Sequence, residues 1–298
     1  MTEEQLKQHL QQHLQQLTIW KNGDQRAPHK PLLVLYALAK YQSEKISALP
    51  YEEVKPKLKE LLMEFGPRRR SYAPEEPFVR LTGDGIWQLD KEIDRRNPRN
   101  KLLLQENVKG GFTEEVCRML DRQPLLLKEA AELLLQEHFP ETMHEDILDA
   151  VGLDMEMYAL SRKRRARDPR FREKILRAYE YRCAVCGFNV RLGSQLVGIE
   201  AAHIKWHQMG GPDTEENGMA LCSLHHKLFD RGVFTITPSR KLLVAEEANG
   251  SAGFQEWLLD FHGREISAPV RPAYKPDESF IHWHVKEVFK GPERYVVE

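Results

Sequence analysis

The chain has 298 residues, enough for two separate cores, since single cores rarely grow past about 250–300 residues. Its 44 Lys and Arg against 45 Asp and Glu leave a net charge of −1, so any nucleic-acid footprint has to be local rather than global. Four cysteines exclude a disulfide scaffold, no apolar run is long enough to cross a bilayer, and no signal-peptide pattern opens the chain; the expectation is a cytoplasmic protein with no membrane partner.

The opening TEEQLKQHLQQHLQQL sets Leu6, Leu10, Leu14 and Leu17 on one helical face, with Thr2 and Gln5 at capping-box spacing. Behind Pro31, PLLVLYALAKY is apolar on nearly every side, which predicts a buried helix. YEEVKPKLKELLMEF predicts a third helix. PFVRLTGDGIWQL reads as two short β runs about a Gly-Asp-Gly turn, a hairpin, and helices followed by a hairpin predict a mainly helical, winged-helix-like unit. Helices in FTEEVCRML, QPLLLKEAAELLLQEHF and MHEDILDAVGL close it near residue 157, and Cys117 in the first of these is expected to be a buried, inert thiol.

Residues 162–182 then carry ten Lys and Arg against three Asp and Glu, with Asp168-Pro169 as the N-cap and first turn of a helix running to about Tyr181. Such a run is equally a solvated linker or a strap that tracks phosphates, Arg164 and Arg165 being candidate contacts. The expected domains are residues 1–157 and 158–298.

The second half concentrates metal-binding side chains. Cys183 and Cys186 in CAVC are matched by Cys222 and His225 in CSLH, and two half-sites of this spacing suit a structural tetrahedral Zn²⁺ with a Cys3His set. His203, His207, Asn217, His226 and Asp230 remain. His226 and Asp230 are four apart and, on a helix, share a face from which they can hold one ion. The adjacent His225 and His226 point in different directions, so one serves the zinc while the other faces a second site. His203, at the end of the β-like run LVGIEAAHI, can face that site as a general base.

The Cys-x-x-Cys, AHI, Asn after a Gly-Gly turn, and LCSLHH sequence resembles the HNH endonucleases over residues 170–235, with FIHWHVKEVF similar to the closing helix of their McrA-like branch. The resemblance implies a ββα-metal fold in which His203 is the general base, Asn217 braces the hairpin, and His226 is a catalytic ligand of a divalent ion such as Mg²⁺ or Mn²⁺. Many members carry Asp or His directly before the base. Here Ala202 stands there, which leaves His226 to hold the ion with other help, for which Asp230 and then Glu200 are the candidates. His207 is expected to be a surface or phosphate-contacting histidine.

Residues 5–110, through DQRAPHKPLLVLYAL and RRRSYAPEEPFVRLTGDGIWQL, resemble the sulfur-binding domain that precedes HNH cores in restriction enzymes attacking phosphorothioate DNA. That resemblance implies a shallow sulfur pocket built from Arg26, Ala27, Pro28 and His29 with Pro77, and with Tyr72 nearby, because Glu76 occupies the place where relatives often have an aromatic. Arg68, Arg69 and Arg70 are candidate phosphate contacts.

The expectation is therefore an α+β chain: a helical, winged-helix-like reader of phosphorothioate double-stranded DNA, then a zinc-stapled HNH nuclease. Cutting both strands calls for a homodimer or two successive visits. Two other readings stay open at this point. One is an HNH enzyme reading a modified base such as methylcytosine, for which Trp20 and Trp87 are a thin aromatic cage; the other is a non-cleaving regulator whose zinc is only structural.

Overall fold

In the computed structural model, which describes residues 3–18, 25–155 and 169–295, the chain divides into two compact units, Met1–Arg162 and Lys163–Glu298. Arg164, Arg165, Trp20 and Thr2 lie outside the described residues.

The first unit is built on helices α1 (Glu3–Gln15), α2 (His29–Glu44), α3 (Tyr51–Phe65), α4 (Glu75–Arg80), α5 (Asn100–Gln105), α6 (Glu114–Arg122), α7 (Leu125–His138) and α8 (His144–Val151). As its all-round apolar sequence predicts, α2 is buried on nearly every side, and α3, α4, α7 and α8 pack around it. Pro31 sits in its first turn, where a missing N–H breaks no helical bond, and Lys45 ends it in the left-handed region at φ 55°. Thr113 caps α6 by accepting from the Val116 N–H.

Three short strands, β1 (Ala48–Pro50), β2 (Trp87–Leu89) and β3 (Lys109–Phe112), form an antiparallel sheet in the order β1-β3-β2. This corrects the expected hairpin. Glu75 and Glu76 sit in the first turn of a helix, and Phe78, Val79 and Leu81 turn inward from α4 and the 3-10 turn after it. The intervening Asp84 is no exposed turn residue. It is buried, pairs with Lys30 and accepts the Thr18 N–H at 2.7 Å, so the Gly-Asp-Gly segment is held from inside while β2 pairs with β3. Trp87 packs edge-on against Phe78 and Phe112, each at 5.9 Å, as part of the core. Cys117 is half-buried, with its thiol pushed up by burial.

The second unit comprises α9 (Pro169–Ala178), β4 (Arg191–Leu192), β5 (Gln195–Leu196), β6 (Ile199–His203), β7 (Gly218–Cys222), α10 (Ser223–Asp230), β8 (Phe234–Ile236), β9 (Leu242–Val244), α11 (Ala252–Trp257) and α12 (Glu278–Glu287). Its sheets are antiparallel pairs: β4 with β5, β6 with β7, and β8 with β9. The β6–β7 pair and α10 make a ββα frame, with His203 opposite Gly218 and Ile199 opposite Cys222. Phe171 and Ile175 of α9 join its core. From α12, the buried His284 stacks on Phe229 of α10 at 3.8 Å and donates from Nε2 to the Phe229 carbonyl, which leaves Nδ1 to accept from the Thr235 hydroxyl. Among the described residues no helix is long and apolar enough to cross a membrane.

Gly218 sets how closely α9 approaches the strand pair. A Cβ there would lie 2.2 Å from Ile175 Cδ1 and 3.1 Å from Phe171 Cζ. Gly218→Ala is expected to lower the stability of the second unit by about 1–3 kcal/mol through overpacking. Urea unfolding of the full chain measures this, and a wild-type midpoint would contradict the close approach.

Candidate active site and metal centre

The two predicted half-sites meet. Cys183 and Cys186 come from a tight turn in which Gly187 N–H bonds the Cys183 carbonyl at 2.9 Å, and the Ala184 N–H ties that turn to Ala220 of β7 at 2.8 Å. Cys222 ends β7 and His225 lies in the first turn of α10. The four ligand atoms lie within 4.8 Å of one another. A tetrahedral ion bound at about 2.3 Å to sulfur and about 2.0–2.1 Å to nitrogen spaces its ligands by about 3.5–3.8 Å. The pairs straddle that: Cys186 to Cys222 is 4.0 Å, Cys183 to His225 Nδ1 3.6 Å, and Cys222 to His225 Nδ1 3.1 Å.

The His225 tautomer also fits. Its Nε2 is 2.7 Å from the Trp257 carbonyl, which only accepts, so Nε2 carries the proton and the Nδ1 lone pair points at the sulfurs. Burial opposes the charged imidazole, but the three sulfurs outweigh it and push it up to about 12. A proton is held where a cation fits.

His226, next in sequence, faces elsewhere. Its Nδ1 is 2.6 Å from Glu200 Oε2 and its Nε2 3.2 Å from Asp230 Oδ2. Burial alone would keep this imidazole neutral; Asp230 and then Glu200 outweigh it and push it up to about 9. The two nitrogens point away from each other, so one ion cannot share this ring with both carboxylates. The Asp230 side chain is 2% exposed and that of Glu200 40%, which makes the Glu200 side the open one. Glu200 also accepts the Ser223 hydroxyl at 2.9 Å.

His203 ends β6, its ring stacked on Phe171 at 4.0 Å with 14° between planes and its Nε2 2.8 Å from Asp213 Oδ1. The loop between β6 and β7 is closed by the fully buried Asn217. Its Oδ1 accepts the Lys205 N–H at 2.8 Å, and its Nδ2 donates to the carbonyls of Lys205 and Pro212, both at 3.0 Å. Gly211 is required there, because a Cβ would lie 1.9 Å from the Lys205 oxygen. His207 is exposed and meets the His203 ring edge-on at 5.9 Å. Asp213, Phe171 and the Trp257 carbonyl are contacts that the sequence reading missed. Asp213 follows the Gly210-Gly211-Pro212 turn, and its place as the nearest carboxylate after His203 is the one local signal for it.

In the first unit, Arg26 is buried and donates to the Phe65 carbonyl at the end of α3 at 2.7 Å. The guanidinium thus ties the segment before α2 to the end of α3. Pro28 and Pro77 are buried too, whereas Ala27, His29 and Tyr72 keep partial exposure. Burial and the Arg69 cation, against Glu76, hold His29 below its ordinary range, which favours its neutral form at pH 7. Arg68 and Arg70 are exposed.

The HNH endonuclease family model matches residues 183–237, which contain the ββα frame and its histidines, and makes the chain a DNA-hydrolysing nuclease. The chain belongs to the ScoMcrA-like DNA sulfur-binding domain family, whose model matches residues 7–156. A sulfur-binding reader joined to an HNH domain is a modification-dependent restriction endonuclease. Solved structures similar to it include the sulfur-binding domain of ScoMcrA complexed with phosphorothioated DNA, at 18% identity and TM-score 0.41, covering 48% of this chain and 94% of that one. The type IV phosphorothioation-dependent restriction endonuclease ScoMcrA matches at 19% identity and TM-score 0.40, over 48% of this chain and 28% of its own length. The modification-dependent TagI restriction endonuclease matches at 26% identity and TM-score 0.29, over 41% of this chain and 38% of that one. No curated protein matches the chain.

Replacing Cys183 or Cys222 by Ser removes a ligand and a cross-link together, so the second unit is expected to lose its bound ion and its cooperative melt while the first unit melts as in the wild type. Elemental analysis and thermal scans of the full chain check this. Purified native protein free of metal would contradict it.

Proposed function

We propose that the first unit selects DNA whose backbone carries a phosphorothioate, one non-bridging oxygen replaced by sulfur, and that the second hydrolyses a phosphodiester nearby. The observation that carries the catalytic half is the ββα frame on which His203, an Asn217-braced loop and His226 are built together.

Sulfur is larger and a poorer hydrogen-bond acceptor than oxygen, so it tolerates a surface with few donors where a phosphate oxygen would lose its hydration unpaired. Ala27, the neutral His29 and Tyr72 are the partly exposed groups suited to such a surface, backed by the buried Pro28 and Pro77. Arg68 and Arg70, with the half-buried Arg69, supply backbone charge to any duplex.

In the Cys183, Cys186, Cys222 and His225 cluster the ion is Zn²⁺ and its role is structural. A catalytic Mg²⁺ or Mn²⁺ would be held on the open side by His226 and Glu200, with Asp230 accepting the opposite N–H of the ring. This gives Asp230 an orienting part in place of the direct ligation that its spacing suggests. When bound, the ion polarises the phosphodiester and stabilises charge on the leaving 3′ oxygen. His203 takes the proton of the attacking water, and Asn217 keeps the loop beside it in place. The partner is double-stranded DNA, cut in both strands by a homodimer or by two visits.

A titration of the full chain with two duplexes identical except for one phosphorothioate tests the reader. A preference on the order of 10- to 1000-fold is expected from the sulfur's burial and the avoided desolvation of oxygen. Tyr72→Ala is expected to reduce that preference, and Arg68→Ala with Arg70→Ala to weaken both duplexes and flatten the salt dependence. Equal binding of both duplexes by the native chain would remove the sulfur reading. For the nuclease, His203→Ala is expected to slow cutting by about 10²-fold or more with DNA affinity unchanged. Glu200→Gln should raise the metal concentration needed for half-maximal cutting.

A further inference from the structure

His203 and Asp213 lie ten residues apart and meet at 2.8 Å, between Nε2 and Oδ1, with side chains 14% and 31% exposed. An ionised carboxylate only accepts hydrogen bonds, so the ring nitrogen facing it carries the proton. In the neutral imidazole the lone pair is then on Nδ1. Other contacts restrict the ring: the Phe171 stack fixes its plane, and pairing with Gly218 fixes its backbone. Asp213 is held in turn. It follows Pro212, whose carbonyl accepts from Asn217 Nδ2, so the chain of bonds runs from the buried amide through the loop to the imidazole.

We propose that Asp213 is the positioning residue of the nuclease reaction: it holds His203 in the tautomer that presents Nδ1 as the base and stabilises the imidazolium that forms. The proposal rests on the reading of His203 as general base. Water's proton passes to Nδ1 while its oxygen bonds to phosphorus. The bond from phosphorus to the 3′ oxygen breaks, its electron pair staying on that oxygen, which is protonated from solvent. The imidazolium returns its proton to solvent before the next turnover. Asp213 stays ionised throughout, and its charge opposes the positive charge on the ring only while that charge exists.

The orientation function distinguishes Asp213 from a carboxylate that merely ties down the loop. Asp213→Asn keeps the size but can donate its amide N–H to Nε2, favouring the tautomer with the proton on Nδ1, which cannot act as base. Single-turnover cleavage by the full chain at saturating enzyme is expected to fall by about 10²- to 10⁴-fold. DNA affinity and melting temperature should stay near wild type, and Asp213→Glu should recover part of the rate. In a His203→Ala background Asp213→Asn should add nothing, because the group it positions is gone. Imidazole ¹⁵N spectra of histidine-labelled protein should show His203 protonated on Nε2 in the wild type and on Nδ1 in Asp213→Asn.

The outcomes separate the two claims. If His203→Ala cuts at the native rate, the base assignment fails and this proposal with it. If His203→Ala is slow but Asp213→Asn is native-like in rate or keeps the Nε2 proton, the base stands and the positioning role is overturned. Equal slowing by Asp213→Asn in both backgrounds, with a lowered melting temperature, also overturns it, since a structural tie alone behaves that way.

Discussion

Four soft ligands clasp the second unit on both sides of its central strand pair, and the rest of the catalytic geometry depends on that clasp. Cys183 and Cys186 precede β6, while Cys222 and His225 mark the junction of β7 with α10. Glu200, His203, Asp213 and Asn217 all lie between the two half-sites, and His226 and Asp230 follow within two turns of α10. The sheets here are only strand pairs, with few ladder bonds to hold a long loop in place. An ion joining both ends of the segment would add folding free energy to that of the apolar core around it. The doubled histidine uses this economy of space, since one ring completes the clasp and the next is turned toward the open site.

Inside the clasp, precision comes from saturated polar contacts. Asn217 uses its carbonyl oxygen and both amide hydrogens on backbone groups of its own loop, so burying it leaves no amide N–H without an acceptor. Such a group acts like one more rung between β6 and β7 and stiffens a loop that has no strand partner of its own. Sites with a 1 Å tolerance need this kind of support behind the reacting groups. His284 performs a comparable service behind α10, where its two ring nitrogens satisfy Thr235 and the Phe229 carbonyl.

Much of this was legible in the sequence because its signals are periodic or chemically costly to waste. The apolar run of α2, the matched Cys-x-x-Cys and Cys-x-x-His spacings, and the i,i+4 pair His226 and Asp230 all carry their geometry in their spacing. The errors came where tertiary contacts overrule local pattern. Gly-Asp-Gly reads as a turn until Asp84 is seen buried against Lys30, and Phe78 and Val79 suit a strand as well as a short helix. The Phe65 carbonyl that Arg26 meets is 39 residues away, so nothing local in the sequence reveals that contact. The partner Asp213 of His203 was hidden for the same reason, being set by a fold that brings a strand end and a loop together, whereas Glu200 beside His226 was among the candidates the sequence offered.

The central claim is that one chain couples a sulfur reader to a metal-dependent HNH cut. Its most direct measurement is cleavage mapping on a long linear duplex bearing a single phosphorothioate at a known position, with Mg²⁺ or Mn²⁺ and the native full chain. The account predicts cuts clustered around the modified linkage and dependent on the divalent ion. Cuts spread evenly along the duplex, or equally frequent on an unmodified control, would contradict it.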